Sequence, residues 1–342
     1  MRKYRFVALT DHSAHSGENS IYAILSELAA HPRTESVELV SRGLAANSDF
    51  FEGDMNSSVQ AYIVTPDFSF DDSGKQYNAS HKLDWNDCDV ILMRLPRPIP
   101  DHFLDNLSSS FRHKLIVNDP RGILETSNKS FLLNFQGLCP PVKLCRSIED
   151  IQEFASQFDL VLKPLKEYGG KGILKVENER IHDGEEFYDA DDYLADLESY
   201  IKNEGYIAMK FLENVSLGDK RLLVVDGEIL ASSLRLPAKD SWLCNVSQGG
   251  QSVSSEPDSD EIELVDKIHP VLKQAGVMIY GVDTLVGDDG RRLLSEINTM
   301  SIGGFKQAQE QSGKPIISTM LNKIFKYADE KYENRNTADQ GI

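Results

Sequence analysis

Residues 161–176 read VLKPLKEYGGKGILKV: an apolar run carrying a lysine, a turn through Gly169, Gly170, Lys171 and Gly172, and a second apolar run. Two strands joined in this way are either a plain hairpin or a lid whose backbone N–H groups close over phosphate oxygens. The turn is not a P-loop, because no GK[ST] leads directly into a helix, and it is not GxGxxG. Lys163 must be paired, snorkelled or facing an anion, since an unpaired buried ammonium is costly.

Downstream, Gly281-Val282-Asp283 is followed by Ser295-Glu296-Ile297-Asn298 around the turn Asp288-Asp289-Gly290. Glu296 and Asn298 are two apart in a strand, so both side chains emerge on one face. Asp283 lies on the hairpin partner. An Asp, a Glu and an Asn oxygen on one face make a hard-ligand set suited to Mg²⁺ bridging nucleotide phosphates, and the alternative is a solvated hairpin face. The apolar residues Ile279, Val282, Leu285, Leu293, Leu294 and Ile297 weigh against solvation. Lys129, Lys163, Lys210, Arg221 and Arg235 also sit on apolar segments. Each alone reads as a surface residue or a snorkelled stem. Together they suit one anion-binding cleft, although their convergence is not visible in sequence.

Around these motifs the chain has 342 residues, 40% hydrophobic and 26% charged, the composition of a globular protein with two or three compact units. Its 36 basic and 54 acidic side chains give a net charge of −18, which repels nucleic acid. Cys88, Cys139, Cys145 and Cys244 form no CxxC pair and read as reduced thiols. The first apolar run meets Thr10-Asp11 too early for a signal peptide, and no apolar segment approaches bilayer length. A cytoplasmic protein without membrane contact is expected.

Strands at YRFVALT, VELVS, DVILM and KLIVN alternate with helical patterns, so residues 1–120 are expected to form a parallel-sheet α/β domain. Residues 121–205 are expected to form a unit holding the glycine turn, and 206–330 a strand-rich unit. The segment 331–342 is expected to be a frayed tail.

In order, DVILMR (89–94), VND (117–119), NKSFLLNF (128–135), VLKPLKEYGGKGI (161–173), GDKRLLVVDGE (218–228), LRLP (234–237), NVSQGG (245–250), YGVDTLVG (280–287) and SEIN (295–298) resemble the ATP-grasp ligases, and within them the bacterial glutathione synthetases. The resemblance implies an α/β (α+β) chain in which an N-terminal parallel-sheet α/β domain precedes two ATP-grasp subdomains. It implies that Lys129 and Lys163 hold ATP phosphates beneath a lid of Tyr168, Gly169, Gly170 and Gly172. It puts Met209, Lys210, Phe211 and Leu212 beside adenine and Asp219 near the ribose. Asp283, Glu296 and Asn298 would bind two Mg²⁺ ions, with Mn²⁺ as a substitute. Arg221, Arg235 and Asn245 would act catalytically on a carboxylate and its acyl phosphate, and Arg94, Ser301, Gly303 and Gly304 would contact substrate. The implied partners are small molecules, a carboxylate peptide and an amino acid, acting on a homo-oligomer.

Three stretches depart from the family pattern: Leu243 stands in place of arginine, Arg94-Leu95-Pro96-Arg97-Pro98 in place of a run toward Asp-Pro-Pro, and TMSIGG in place of Ser-Pro-Thr. All fall on the acceptor side. The expectation is an ATP-dependent carboxylate–amine ligase, foremost one joining γ-glutamylcysteine to glycine. Behind it stand a related ligase with another acid and amine, and last a non-catalytic nucleotide-binding homologue.

Overall fold

The computed structural model describes every residue except 78, 168, 185, 239–241, 243, 245–250 and 340–342. Three sheets follow one another along the chain. The first contains β1 (Tyr4–Thr10), β2 (Thr34–Ser41), β3 (Gln60–Ile63), β4 (Ser80–Lys82), β5 (Val90–Met93) and β6 (Leu115–Val117), in the order β4-β3-β2-β1-β5-β6. The central strands β2, β1, β5 and β6 are parallel, and β3 and β4 add antiparallel at one edge. The parallel strands read as continuous apolar runs because both faces are covered. Helix α1 (Ile21–Ala30) packs in one core with Phe6, Ala8 and Leu92, while the short α2 (Ser48–Phe51) and α3 (Asp101–Ser110) pack in the other with Val7, Leu9 and Ile91.

Helix α4 (Pro120–Thr126) then leads out of this unit, capped by the Asp119 side chain accepting from Arg121 N–H. A 3₁₀ stretch, Lys129–Leu138, follows with Asn128 as its cap. The second sheet has the order β11-β10-β9-β8-β12-β7 and is antiparallel in its recorded pairs. Its strands are β7 (Val142–Cys145), β8 (Leu160–Pro164), β9 (Leu174–Glu177), β10 (Arg180–His182), β11 (Phe187–Asp189) and β12 (Tyr206–Lys210), with α5 (Ile148–Ala155), α6 (Ala190–Asp196) and α7 (Glu198–Asn203) beside them. Strand β12 pairs with both β7 and β8, so this sheet reaches Lys210, past the expected boundary at 205.

The third sheet, β15-β14-β13-β16-β17, consists of β13 (Asp219–Val225), β14 (Glu228–Leu236), β15 (Gln251–Ser255), β16 (Ile279–Val286) and β17 (Arg292–Asn298). Helix α8 (Ser259–Gln274) opens with a capping box between Asp258 and Glu261, and its Leu264, Val265, Ile268 and Leu272 pack on Leu222, Val224, Tyr280 and Val282. Strand alternation then sends Asp219, Arg221 and Leu223 to the other face. At the Leu223 end of that face lie α9 (Phe305–Ser312) and α10 (Ile316–Asp339), and the Arg221 end is left for chemistry.

Helix α10 corrects the expectation of a frayed tail from residue 331. Tyr332 donates its hydroxyl to Asp89 O at 2.7 Å, packs against Tyr4 and carries the Arg2 guanidinium 4.0 Å over its ring. One turn earlier Asp329 bonds Arg33 and Tyr4. These contacts hold a segment that lacks apolar periodicity. All four cysteines are free and buried, and no helix among the described residues is long and apolar enough to cross a membrane.

Candidate active site

The opening stretch forms β8 and β9, an antiparallel pair in which Leu162 faces Leu174. Between them Gly169, Gly170 and Gly172 take φ of 67°, 84° and 66°, left-handed values that only glycine adopts freely. Tyr168 lies outside the described residues. Lys163 is buried in β8, and its ammonium donates to the Ser295 hydroxyl at 3.0 Å and the Ser295 carbonyl at 3.2 Å. The second and third sheets therefore meet at a lysine. Lys129 is also buried; its ammonium donates to Glu167 O and stands 3.9 Å from the Glu296 carboxylate. Burial lowers its pKa against the pull of Glu296, with Lys163 adding to the fall.

On β16 and β17, Asp283 pairs with Glu296 and Gly281 with Asn298. Asp283 is buried and its two oxygens accept from Arg221, while Arg235 approaches at 3.0 Å. Burial would raise the Asp283 carboxyl, but the two guanidiniums outweigh it and hold it at about 2. Arg235 also grips Asp219 through Nε at 2.7 Å and Nη2 at 2.5 Å. Burial raises the Asp219 carboxyl against that pairing. Gly281 makes room for this arrangement: a Cβ there would stand 3.2 Å from Arg221 Cδ.

These groups border one open cleft of about 810 Å³, its mouth included, between the second and third sheets. Of the residues expected at nucleotide or metal, Lys129, Lys163, Gly169, Gly170, Met209 to Leu212, Asp219, Asp283 and Glu296 line it. Gly172 is in the turn but packs toward Pro164, Arg221 and Arg235 stand behind the acids, and Asn298 donates to Asp283 Oδ2 at 3.5 Å. Asn245 lies outside the described residues. Arg94, Ser301 and Ile302 border a different, smaller cavity of about 370 Å³. There Arg94 donates to Ile302 O at 2.8 Å, and its Nε and the Ser301 hydroxyl are buried without a partner among the described residues. Gly304, with φ of 95°, borders a third cavity, and Gly303 is exposed.

Sequence reasoning missed Ser295, Trp242 and Leu285, all of which line the main cavity. Ser295 should point away from Glu296 by strand alternation, but the pairing shifts register between Asp283 and Thr284 and makes Ser295 the extra residue.

Among the described residues no group of three or more His, Cys, Asp or Glu could hold a metal ion. The donors Asp283, Glu296 and the Asn298 amide nevertheless fit a hard divalent cation, with Asp283 ionised across the working pH range. Lysines above, carboxylates below and a glycine turn over the opening suit a nucleoside triphosphate with its cation.

A glycine-turn sheet closing against a carboxylate-bearing sheet defines the ATP-grasp ligases, ATP-dependent enzymes that form C–N bonds. The chain belongs to the prokaryotic glutathione synthetase family, whose ATP-grasp domain matches residues 128–313. It is 29% identical over 263 residues to the glutathione synthetase of Mesorhizobium japonicum, covering 74% of this chain and 79% of that one. With the glutathione synthetase of Yersinia pestis it shares 31% over 236 residues, 67% and 70% of the two chains. A crystal structure of a D-cycloserine synthetase superposes with a TM-score of 0.64 over 94% of this chain and 99% of the other; at 13% identity the likeness is one of fold. Membership carries ATP use and dependence on a divalent metal.

Proposed function

We propose that the enzyme joins γ-glutamylcysteine to glycine, converting ATP to ADP and phosphate. The observation that carries this reading is the convergence of Lys129, Lys163, the glycine turn, Asp283 and Glu296 on one cavity, with Arg221 directly behind. Lys129 and Lys163 hold the phosphates, and the turn through Gly169 and Gly170 excludes water. Arg221 and Arg235 neutralise the carboxylate as it attacks the γ-phosphorus and an acyl phosphate forms. They then stabilise the tetrahedral intermediate when the amine attacks and phosphate leaves with the C–O bond electrons. Asp283, Glu296 and Asn298 hold Mg²⁺, two ions per site with Mn²⁺ as substitute, which supplies Lewis-acid stabilisation of phosphoryl charge. The chain acts as a cytoplasmic homo-oligomer, with domains divided near residue 120 and just past Lys210.

A second reading keeps the chemistry and changes the acid or amine. It draws on Leu243, where the family has arginine, and on Arg94, which is bonded to Ile302 O. Incubation with ATP, Mg²⁺, γ-glutamylcysteine and glycine separates the two. Phosphate release that requires both substrates supports the first reading. No release with this pair, but release with another acid and amine, establishes the second.

A further inference from the structure

The walls of the nucleotide cleft change character along their strands. On β8 the face that carries Lys163 carries Val161 two residues earlier, and on β16 the face that carries Asp283 carries Leu285 two residues later. Both steps lead the same way, because Lys210, which pairs with Leu160, meets Asp288 beyond Leu285 at 2.5 Å. With phosphates and a cation at the Lys163 and Asp283 end, the base of the nucleotide falls at the Val161 and Leu285 end.

One aromatic side chain reaches that end from outside the two sheets. Trp242, in the segment between β14 and β15, borders the cleft, with its ring edge-on to Phe211 at a centroid distance of 6.1 Å. Its indole N–H crosses to the second sheet and donates to His182 Nδ1 at 3.2 Å. An indole N–H only donates, so His182 presents Nδ1 without a proton. The imidazole sits on the cleft face: the register runs from Val161 to Lys175 on β9, to His182 on β10 and to Phe187 on β11. Lys175 stands 4.1 Å over the Phe211 ring, and Phe187 packs with its ring centroid 4.4 Å from that of His182. Phe187 is 47% exposed, too open to serve a core, and support of His182 accounts for its place. Phe187 thus steadies the imidazole, and the imidazole fixes the indole.

We propose that Trp242 is the base-contacting residue of the nucleotide site, holding its indole against the adenine ring, and that His182 positions it. Such a contact adds affinity through the base and none through the phosphates, so it sets the preference for a nucleotide over bare polyphosphate. The inference rests on ATP use and on no particular acid or amine.

The chain has two tryptophans, and Trp85 lies in the first unit against Phe50 and Phe111. In Trp85→Phe the emission of Trp242 therefore reports on the cleft directly. MgATP is expected to change that emission saturably, whereas magnesium tripolyphosphate, which lacks a base, leaves it nearly unchanged. By calorimetry Trp242→Ala is expected to raise Kd for MgATP about tenfold, as when a base loses one aromatic partner, with Kd for tripolyphosphate within about twofold. His182→Leu should reproduce the loss, and His182→Asn, whose carboxamide oxygen replaces Nδ1 as acceptor, should restore most of it. An unchanged Kd for MgATP in Trp242→Ala overturns the base contact, and so does an equal loss for ATP and tripolyphosphate, which marks a purely structural side chain. Wild-type affinity in His182→Leu overturns the positioning role. A wild-type protein that binds no MgATP overturns the inference together with the assignment of the cleft to a nucleotide. Ligation of γ-glutamylcysteine enters none of these measurements, so that reading stands or falls separately.

Discussion

Arg221 and Asp283 stand opposite one another on β13 and β16, and the guanidinium donates to both carboxylate oxygens, with Nη2 to Oδ2 at 2.6 Å. The pair closes the nucleotide cavity on one side and opens a serine-lined cavity on the other. A flat guanidinium serves this position because it binds Asp283 through two nitrogens and keeps further N–H groups for a substrate oxygen. Lysine carries the charge without the fork. Arg221→Lys is therefore expected to lower kcat/KM by about a hundredfold or more, the range found when one preorganised donor to a developing oxyanion is removed. ATP affinity measured by direct titration should change by only a few fold. Full activity in this variant would take the pair out of the chemistry.

Glu296 is the site acid without a guanidinium partner among the described residues; its recorded ion-pair contact is Lys129 at 3.9 Å. Replacing it with glutamine keeps size and shape and removes a charge from the metal set. Ligation by Glu296→Gln is expected to be abolished at millimolar Mg²⁺ and to recover partly as the cation is raised, while the unfolding midpoint stays near that of wild type. Wild-type turnover at low Mg²⁺ would contradict the metal assignment.

Asn118 fixes the first sheet to the third. Its amide nitrogen donates to Ile279 O at 2.6 Å and Thr299 O at 2.8 Å, and its oxygen accepts from the N–H groups of Met278 and Ile279 at 2.9 Å each. Leucine has nearly the same shape and can satisfy none of these buried groups. Asn118→Leu is expected to destabilise the protein by about 3 kcal/mol or more, since two backbone donors and two acceptors lose their partner at once. Urea unfolding followed by circular dichroism measures it; a loss under about 1 kcal/mol would show that water replaces the amide.

The parts of this architecture legible in sequence are those set by local periodicity. The β8–β9 hairpin, the apolar parallel strands and the shared face of Glu296 and Asn298 follow from alternation and turn chemistry. The features that were not legible depend on contacts between distant residues. Nothing in SEIN announces that a register shift at Ser295 lets it hold Lys163, more than a hundred positions away. The segment after residue 330 looks disordered by composition, yet Tyr332 anchors it on Asp89. The basic residues Arg221 and Arg235 were recognisable as an anion-binding set, but their present partners are Asp283 and Asp219. Such pairing is set by strand order, which the sequence does not spell out.

At the carboxyl ends of β1 and β2, His15 is half-buried with its Nδ1 3.0 Å from the Tyr22 hydroxyl and its Nε2 3.4 Å from the Thr10 hydroxyl. Burial, aided by the positive neighbours His12 and Arg94 and opposed by Asp11, pushes its pKa down from 6.5 to about 4. The unfolded chain therefore takes up this proton first as pH falls. Between pH 6.5 and 4 the unfolded state binds more protons, so stability declines with falling pH, and above that window His15 contributes no slope. The decline is on the order of 2 kcal/mol once partial solvent access is allowed for. Burial lowers His12 as well, in the same sense. Urea unfolding at pH 7.5 and 5 should show the loss in wild type and a smaller one in His15→Gln, which cannot take up a proton. Equal pH dependence in the two proteins would show that the His15 ring reaches solvent freely.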